Sequence, residues 1–390
     1  MNRVLLSLSV VILGVLMWLP FVHFSANRFV GGEAKTLPAL TPVAYVLLGG
    51  VLALMVIALV WQYLKPVYTC LSALLLTGGL LFLLFLLLGQ SAQTLMAAAA
   101  NPAARVAVGS AFWVTFLCLN LLLLDIWQRL PGYQEVFILF LLVLVAAVTA
   151  AFLQQHFDSL SLLKEYHNQQ SRFITAIVEH LTLVFIAFVP ALLLGLLLGG
   201  LVWRYPRVNS AFFAVLNFLQ TIPSIALFSL LMVPLAWLAI RYPTLHDMGI
   251  SGIGTAPSVI ALVLYTLLPL TRNTYTGLAG VPADILEAAH AMGMSKGQIF
   301  RHIMVALSLP MILSGVRIVI VQLIGLTVVA ALIGAGGLGV FVWQGLGQYA
   351  LDLVLLGALP TIVLAVLADL CLRGLIRWAN PIKITSPNGK

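Results

Sequence analysis

The chain has 390 residues and a formal net charge of +8, with 62% hydrophobic and only 8% charged residues. A soluble globular chain carries about 25% charged residues, and one this long could not cover its surface in water with so few. The composition excludes a soluble enzyme, a nucleic-acid binder and a disordered scaffold. It leaves a polytopic membrane protein whose cations sit in short loops between apolar runs.

A spanning helix needs roughly 20 apolar residues. Ten segments qualify in chain order: residues 4–22, 43–63, 69–89, 107–127, 135–153, 180–203, 211–238, 256–273, 311–333 and 352–373. The first has only Arg3 in front of it, and Leu19-Pro20-Phe21-Val22-His23 offers no small-x-small cleavage site, so it reads as a retained helix and not a signal peptide. With the N-terminus inside, the inner segments hold Arg3, Lys65, Arg129, Arg204, Arg207, Arg272, Lys296, Arg301, Arg373, Arg377, Lys383 and Lys390. The outer segments hold Arg28, Lys35, Arg105, Lys164, Arg172 and Arg241. This 12-to-6 bias predicts that both termini are cytoplasmic.

Residues 154–179 interrupt the short loops and separate two halves of five helices. They read as an external connecting segment, part of it an interfacial helix. The predicted division is 1–153, an N-terminal five-helix membrane extension; 154–179; 180–375, a second five-helix body; and a tail, 376–390.

Most ionisable residues near the membrane have a plain reading. Glu179 and His180 open a helix on the outside, Asp125 lies close to Arg129, Arg317 snorkels, and Asp369 and Arg373 form an i,i+4 pair. Cys70, Cys118 and Cys371 show no CxxC spacing and the seven histidines no HExxH pair, so neither a metal nor a catalytic constellation is expected. Pro223 and Pro269 fall inside predicted helices and are expected to kink or break them. Such breaks at Gln220, Thr221, Pro223 and Ser224, and at Tyr265 and Pro269, suit a translocation pathway, where freed carbonyls face a cavity; they are equally common as mere kinks.

The longest inner connection, 274–310, carries paired helix signals. Pro282 suits a first helical position, Asp284 sits in the first turn, and Gly293 supplies a stop. Ser295 with Gln298 three residues on forms a capping box for a second helix. A short helix with small residues at its centre fits a groove on another protein.

After the 311–333 helix, Gly334-Ala335-Gly336-Gly337-Leu338-Gly339 fits GxGxxG literally, but it follows a membrane helix and not a strand, so no dinucleotide site is expected. Gly334, Gly336, Gly337 and Gly339 read either as a tight external turn with close packing or as a mobile re-entrant turn near a solute exit. No GxxxxGK[ST] occurs, so energy must come from a partner or an ion gradient.

Glu287-Ala288-Ala289, then Gly293, then Ile303 resembles the EAA loop of permease subunits in binding-protein-dependent ABC importers. The sequence departs from that pattern after Ile303, with Val305-Ala306 in place of the family's Leu-Pro and Leu309-Pro310 further on. Asn217–Leu227, Leu264–Asn273 and Ala331–Gly339 resemble permeases for glycine betaine, choline and carnitine, and Leu160-Ser161-Leu162-Leu163-Lys164-Glu165-Tyr166 with the N-terminal extension is similar to Yeh-type osmoprotectant uptake permeases.

The resemblance implies an all-α polytopic fold of about ten transmembrane helices with a C-terminal five-helix MetI-like core. It implies that Glu287, Ala288, Ala289 and Gly293 couple to a cytoplasmic ABC ATPase dimer that binds the ATP and magnesium, so this chain carries no cofactor and is no enzyme. It further implies a second permease, identical or a paralogue, a periplasmic binding protein, lipid contact and a bacterial inner membrane. The rival reading is an ion-coupled secondary transporter of five-plus-five architecture. It predicts recognisable pairing between the halves, and no such pairing is visible.

Overall fold

The computed structural model describes residues 2–27, 31–61, 63, 66–99, 101, 103–130, 132–247 and 249–379. Arg28, Lys65, Lys383 and Lys390 of the charge count, and the tail from 380 onward, lie outside the described residues. The chain divides into two compact units, Met1–Asn168 and Gln169–Lys390.

In the first unit, α1 (Arg3–Trp18) is opened by Asn2, whose side chain accepts from the Val4 and Leu5 amides. The predicted span 4–22 is too long. Leu19 precedes Pro20, a position that disfavours helix, and it takes extended angles (φ −89°, ψ 151°). The chain continues as β1 (Pro20–Ser25), which pairs antiparallel with β2 (Glu33–Thr36) and β3 (Arg105–Val108) in the order β2-β1-β3. The helices α2 (Ala44–Val60) and α5 (Gln134–Leu153) follow the predicted positions, whereas α3 (Pro66–Ala99) runs well past the predicted end at 89 and α4 (Ser110–Arg129) begins after 107–108, which belong to β3. The sheet joins the C-terminal ends of α1 and α3 to the N-terminal ends of α2 and α4.

The first part of the external connecting segment, up to Asn168, is built into this unit. Phe157, Leu160 and Leu163 join the core formed by Leu84, Leu119 and Leu122. On α6 (Ser161–Asn168), the buried Glu165 pairs with Arg105 of β3. Lys164 donates to the Ala104 carbonyl at 3.1 Å, and burial, with Arg105 second, pushes its ammonium below the usual lysine range.

The second unit opens with α7 (Gln170–Arg204), which starts ten residues earlier than the predicted 180. Glu179 and His180 therefore lie inside a helix and do not open one. The predicted span 211–238 is two helices, α8 (Asn209–Thr221) and α9 (Ser224–Arg241), because Ile222 and Pro223 are extended. Next come α10 (Thr255–Ala279), α11 (Ala283–Ala291), α12 (Val305–Ala330), α13 (Gly339–Gly347) and α14 (Leu351–Ala379). A capped turn, Lys296–Gln298, and a π-helical stretch, Ile299–Met304, lead into α12, at the place where the sequence departs from the family's Leu-Pro pattern.

Small residues set the packing, as they do wherever membrane helices approach closely. A Cβ at Gly195 would meet Leu270 at 2.7 Å, and one at Gly199 would meet the Thr271 carbonyl at 2.9 Å, so α7 seats directly on α10. Gly315 of α12 approaches Asn273 in the same way. Ala187, Ala191, Leu262, Leu270, Val319 and Leu323 fill the core between these three helices.

The chain is predominantly helical, as expected. Among the described residues eight helices are long and apolar enough to cross a membrane, while Arg3–Trp18 and Ala44–Val60 are shorter apolar helices. Among the described residues the predicted ten spans thus become eight long helices and two short apolar ones, with the 13-residue α8 split off from α9.

Candidate functional site

The 274–310 connection is ordered throughout. Pro282 caps α11 from outside, one position earlier than predicted, and Asp284 lies in its first turn. Gly293, at φ +78°, ends the helix in a Schellman motif: its amide donates to the His290 carbonyl at 2.9 Å and that of Met294 to Ala289 at 3.2 Å. Ser295 and Gln298 then form the predicted capping box. Both signals are local, which is why the sequence announces them.

The Glu-Ala-Ala triplet splits between two faces. Ala289 is fully buried in a small cluster with Leu278, Val281, Ile299 and Met304, flanked by Trp203 and Leu286. Glu287, Ala288 and Gly293 are exposed, together with Asp284 and Met292. An alanine is needed at 289 because the helix lies directly on its anchor. The outward face carries two carboxylates around a small-residue surface.

A second arrangement surrounds the break between α8 and α9. Pro269 does not break α10; the helix runs through it. Proline has no N–H, so the Tyr265 carbonyl one turn earlier loses its helical donor. The Gln220 side-chain amide supplies the missing bond at 2.7 Å, and Gln322 approaches the same carbonyl at 3.5 Å. The Tyr265 hydroxyl in turn donates to the Ile222 carbonyl, which the break at Pro223 has freed. Of the predicted pathway residues, Gln220, Tyr265, Pro223 and Pro269 are therefore brought together. Thr221 donates back to Phe218 at 2.7 Å on the exposed side, and Ser224 opens α9.

The glycine run ends α12 and begins α13. Gly334, Gly336 and Gly337 have φ of +82°, +81° and +78°, a region only glycine enters freely. The Gly337 amide donates to the Glu179 carboxylate at 2.8 Å, and a Cβ at Gly337 would meet the His180 backbone at 3.2 Å. His180 is fully buried and its Nε2 lies 3.1 Å from the Ile324 carbonyl. Gly339 packs against the Val328 carbonyl. The turn is thus tight and closely packed.

Sequence reasoning missed one contact. Arg317 of α12 reaches Asp369 of α14, Nε to Oδ1 3.4 Å, while Arg373 donates to the other carboxylate oxygen at 2.6 Å. The Asp369–Arg373 spacing was visible along one helix; nothing in the sequence brings 317 to 369. Among the described residues no group of three or more metal-ligating side chains occurs.

Two family models match the chain. "Binding-protein-dependent transport system inner membrane component" covers residues 191–381, and "ABC transporter permease YehY, N-terminal domain" covers residues 2–163. The glycine betaine/carnitine/choline transport system permease protein OpuCD of Bacillus subtilis is 38% identical over 194 residues, 50% of this chain and 78% of that one. The osmoprotectant import permease protein OsmW of Salmonella typhimurium is 38% identical over 49% of this chain and 84% of its own. The carnitine transport permease protein OpuCD of Listeria monocytogenes is 33% identical over 58% of this chain and 95% of its own. Among solved structures, an inward-facing MetNI methionine ABC transporter chain aligns with a TM-score of 0.47 and 20% identity, over 54% of this chain and 98% of that one.

Proposed function

This chain belongs to the family of membrane-spanning permeases of binding-protein-dependent ABC transport systems, and on that premise we propose that it carries glycine betaine or a related quaternary-amine osmoprotectant across a bacterial inner membrane. Membership displaces the ion-coupled carrier of five-plus-five design. The observation that carries the mechanistic reading is the anchored helix α11, which turns Asp284, Glu287 and Ala288 outward while Ala289 fixes it to the body of the unit.

In this reading α11 seats in a cleft of a cytoplasmic ATPase dimer, with Glu287 a polar contact and Gly293 the turn that sets the helix angle. The ATP and magnesium belong to that partner. A second permease, a copy or a paralogue, flanks the pathway, and a periplasmic binding protein delivers the solute near the glycine turn. Both termini are then cytoplasmic. ATPase closure pushes on α11 and, through the π-helical stretch that leads into α12, on the Gln220–Tyr265–Ile222 clasp. That clasp joins the α8–α9 break to α10 beside Pro269, so a small push rearranges few hydrogen bonds.

The test is uptake of radiolabelled glycine betaine by cells that carry the whole transport system and no other osmolyte importer. Gly293→Asp forces a β-carbon into a left-handed turn; uptake is expected to fall at least tenfold with the protein still present in the membrane. Wild-type uptake in the Gly293→Asp cells contradicts the coupling assignment.

A further inference from the structure

The Arg317–Asp369 contact lies in a shallow, open cavity of about 430 Å³, lined by Arg317, Ile318, Val321, Gln322 and Asp369. Arg317 lies 13 residues before the end of α12 at Ala330, about 20 Å along the helix at 1.5 Å per residue, which puts it toward the inner end of the span.

The charge around this cavity is unbalanced: Arg317 in its lining and Arg373 beside it share one carboxylate, Asp369. Asp369 is held closely by Arg373 at 2.6 Å, whereas Arg317 stands off at 3.4 Å, and among the described residues no hydrogen bond engages its guanidinium. A positive group with unused donors in a low-dielectric setting attracts a carboxylate, which it grips with two parallel N–H bonds. When Arg317 turns to such a ligand, Asp369 keeps Arg373 and no charge is stranded.

The cavity is also tied to the candidate pathway. Gln322 lines it and, through the same side chain, approaches the Tyr265 carbonyl that Gln220 holds. One turn beyond Gln322, a Cβ placed on Gly325 would meet nothing within 4 Å, so the groove stays open along this face.

We propose that Arg317, with Gln322, forms a subsite on the pathway that takes the carboxylate of the moving solute, so that the transported class is a zwitterion with a carboxylate and not a bare cation such as choline. The inference rests on the osmoprotectant reading. Glycine betaine places its carboxylate on Arg317 in exchange for Asp369, and the net positive charge of the cluster repels a solute that is only a cation.

The test compares uptake of glycine betaine and choline by cells carrying the complete system, with ATPase co-purification as the assembly control. Wild type is expected to take up betaine at least tenfold faster than choline. Arg317→Gln lowers betaine uptake at least tenfold with the ATPase still bound, Arg317→Lys restores part of it, and Gly325→Leu, which fills open space without a clash, also blocks betaine. Betaine uptake within twofold of wild type in Arg317→Gln or in Gly325→Leu overturns the subsite. So does an Arg317→Gln chain that loses its ATPase, or a wild type that carries choline equally and loses both solutes together, because Arg317 is then structural. If wild type takes up neither solute, the osmoprotectant reading falls and the subsite with it; the other failures leave that reading standing.

Discussion

Tyr265 shows how one residue's chemistry is set by another four positions away. Pro269 removes the donor for the Tyr265 carbonyl, and Gln220 replaces it at 2.7 Å. Gln220→Leu leaves a buried carbonyl poorly satisfied and is expected to cost about 1–3 kcal/mol in detergent unfolding. Pro269→Ala returns a backbone N–H, so the same Gln220→Leu change should cost about 1 kcal/mol less in that background, a coupling that a double-mutant cycle measures directly. Additive losses would mean that the two residues do not share the carbonyl. The glycine turn makes a second case. Gly337→Ala places a β-carbon at φ +78° and 3.2 Å from the His180 backbone. It is expected to lower the melting temperature by several degrees, while Glu179→Gln, which retains an acceptor for the Gly337 amide, should change it by much less.

Helix α11 is the element on which packing and the proposed docking separate cleanly, because adjacent alanines point opposite ways. Ala289→Leu overfills a buried cluster and is expected to destabilise the chain by about 1–3 kcal/mol. Ala288→Leu, on the exposed face, should leave the unfolding midpoint unchanged and weaken ATPase association instead. Equal effects of the two in both measurements would refute the division. This element was legible from residues alone because its start, its glycine stop and the capping box at Ser295 are signals that act within four residues. The ends of the long helices were less legible. Residues 170–179 are too polar for a hydropathy window, yet they are helical, whereas the α8–α9 break falls at Pro223, where the sequence predicts a kink or break. The sheet β2-β1-β3 escaped for a different reason: its strands are four to six residues long, and β3 lies far from the other two in sequence. The Arg317–Asp369 contact escaped because only packing of α12 on α14 creates it.

At the scale of the molecule, the two units carry separate cores, one built from residues such as Leu84, Leu119 and Leu163, the other from Ala191, Leu270 and Val319. Helix α11 and every residue of its anchoring cluster belong to the second unit. A chain of residues 169–390 is therefore expected to enter the membrane and still retain the ATPase on purification; loss of the ATPase would show that residues 1–168 contribute to docking. The most direct measurement is affinity purification of the tagged full chain from its own membrane, with every stoichiometric partner identified, for wild type and for Gly293→Asp. The account predicts a P-loop ATPase with the wild type and its absence from Gly293→Asp. A chain that purifies alone, and that carries a quaternary amine when reconstituted without any ATPase, would contradict it.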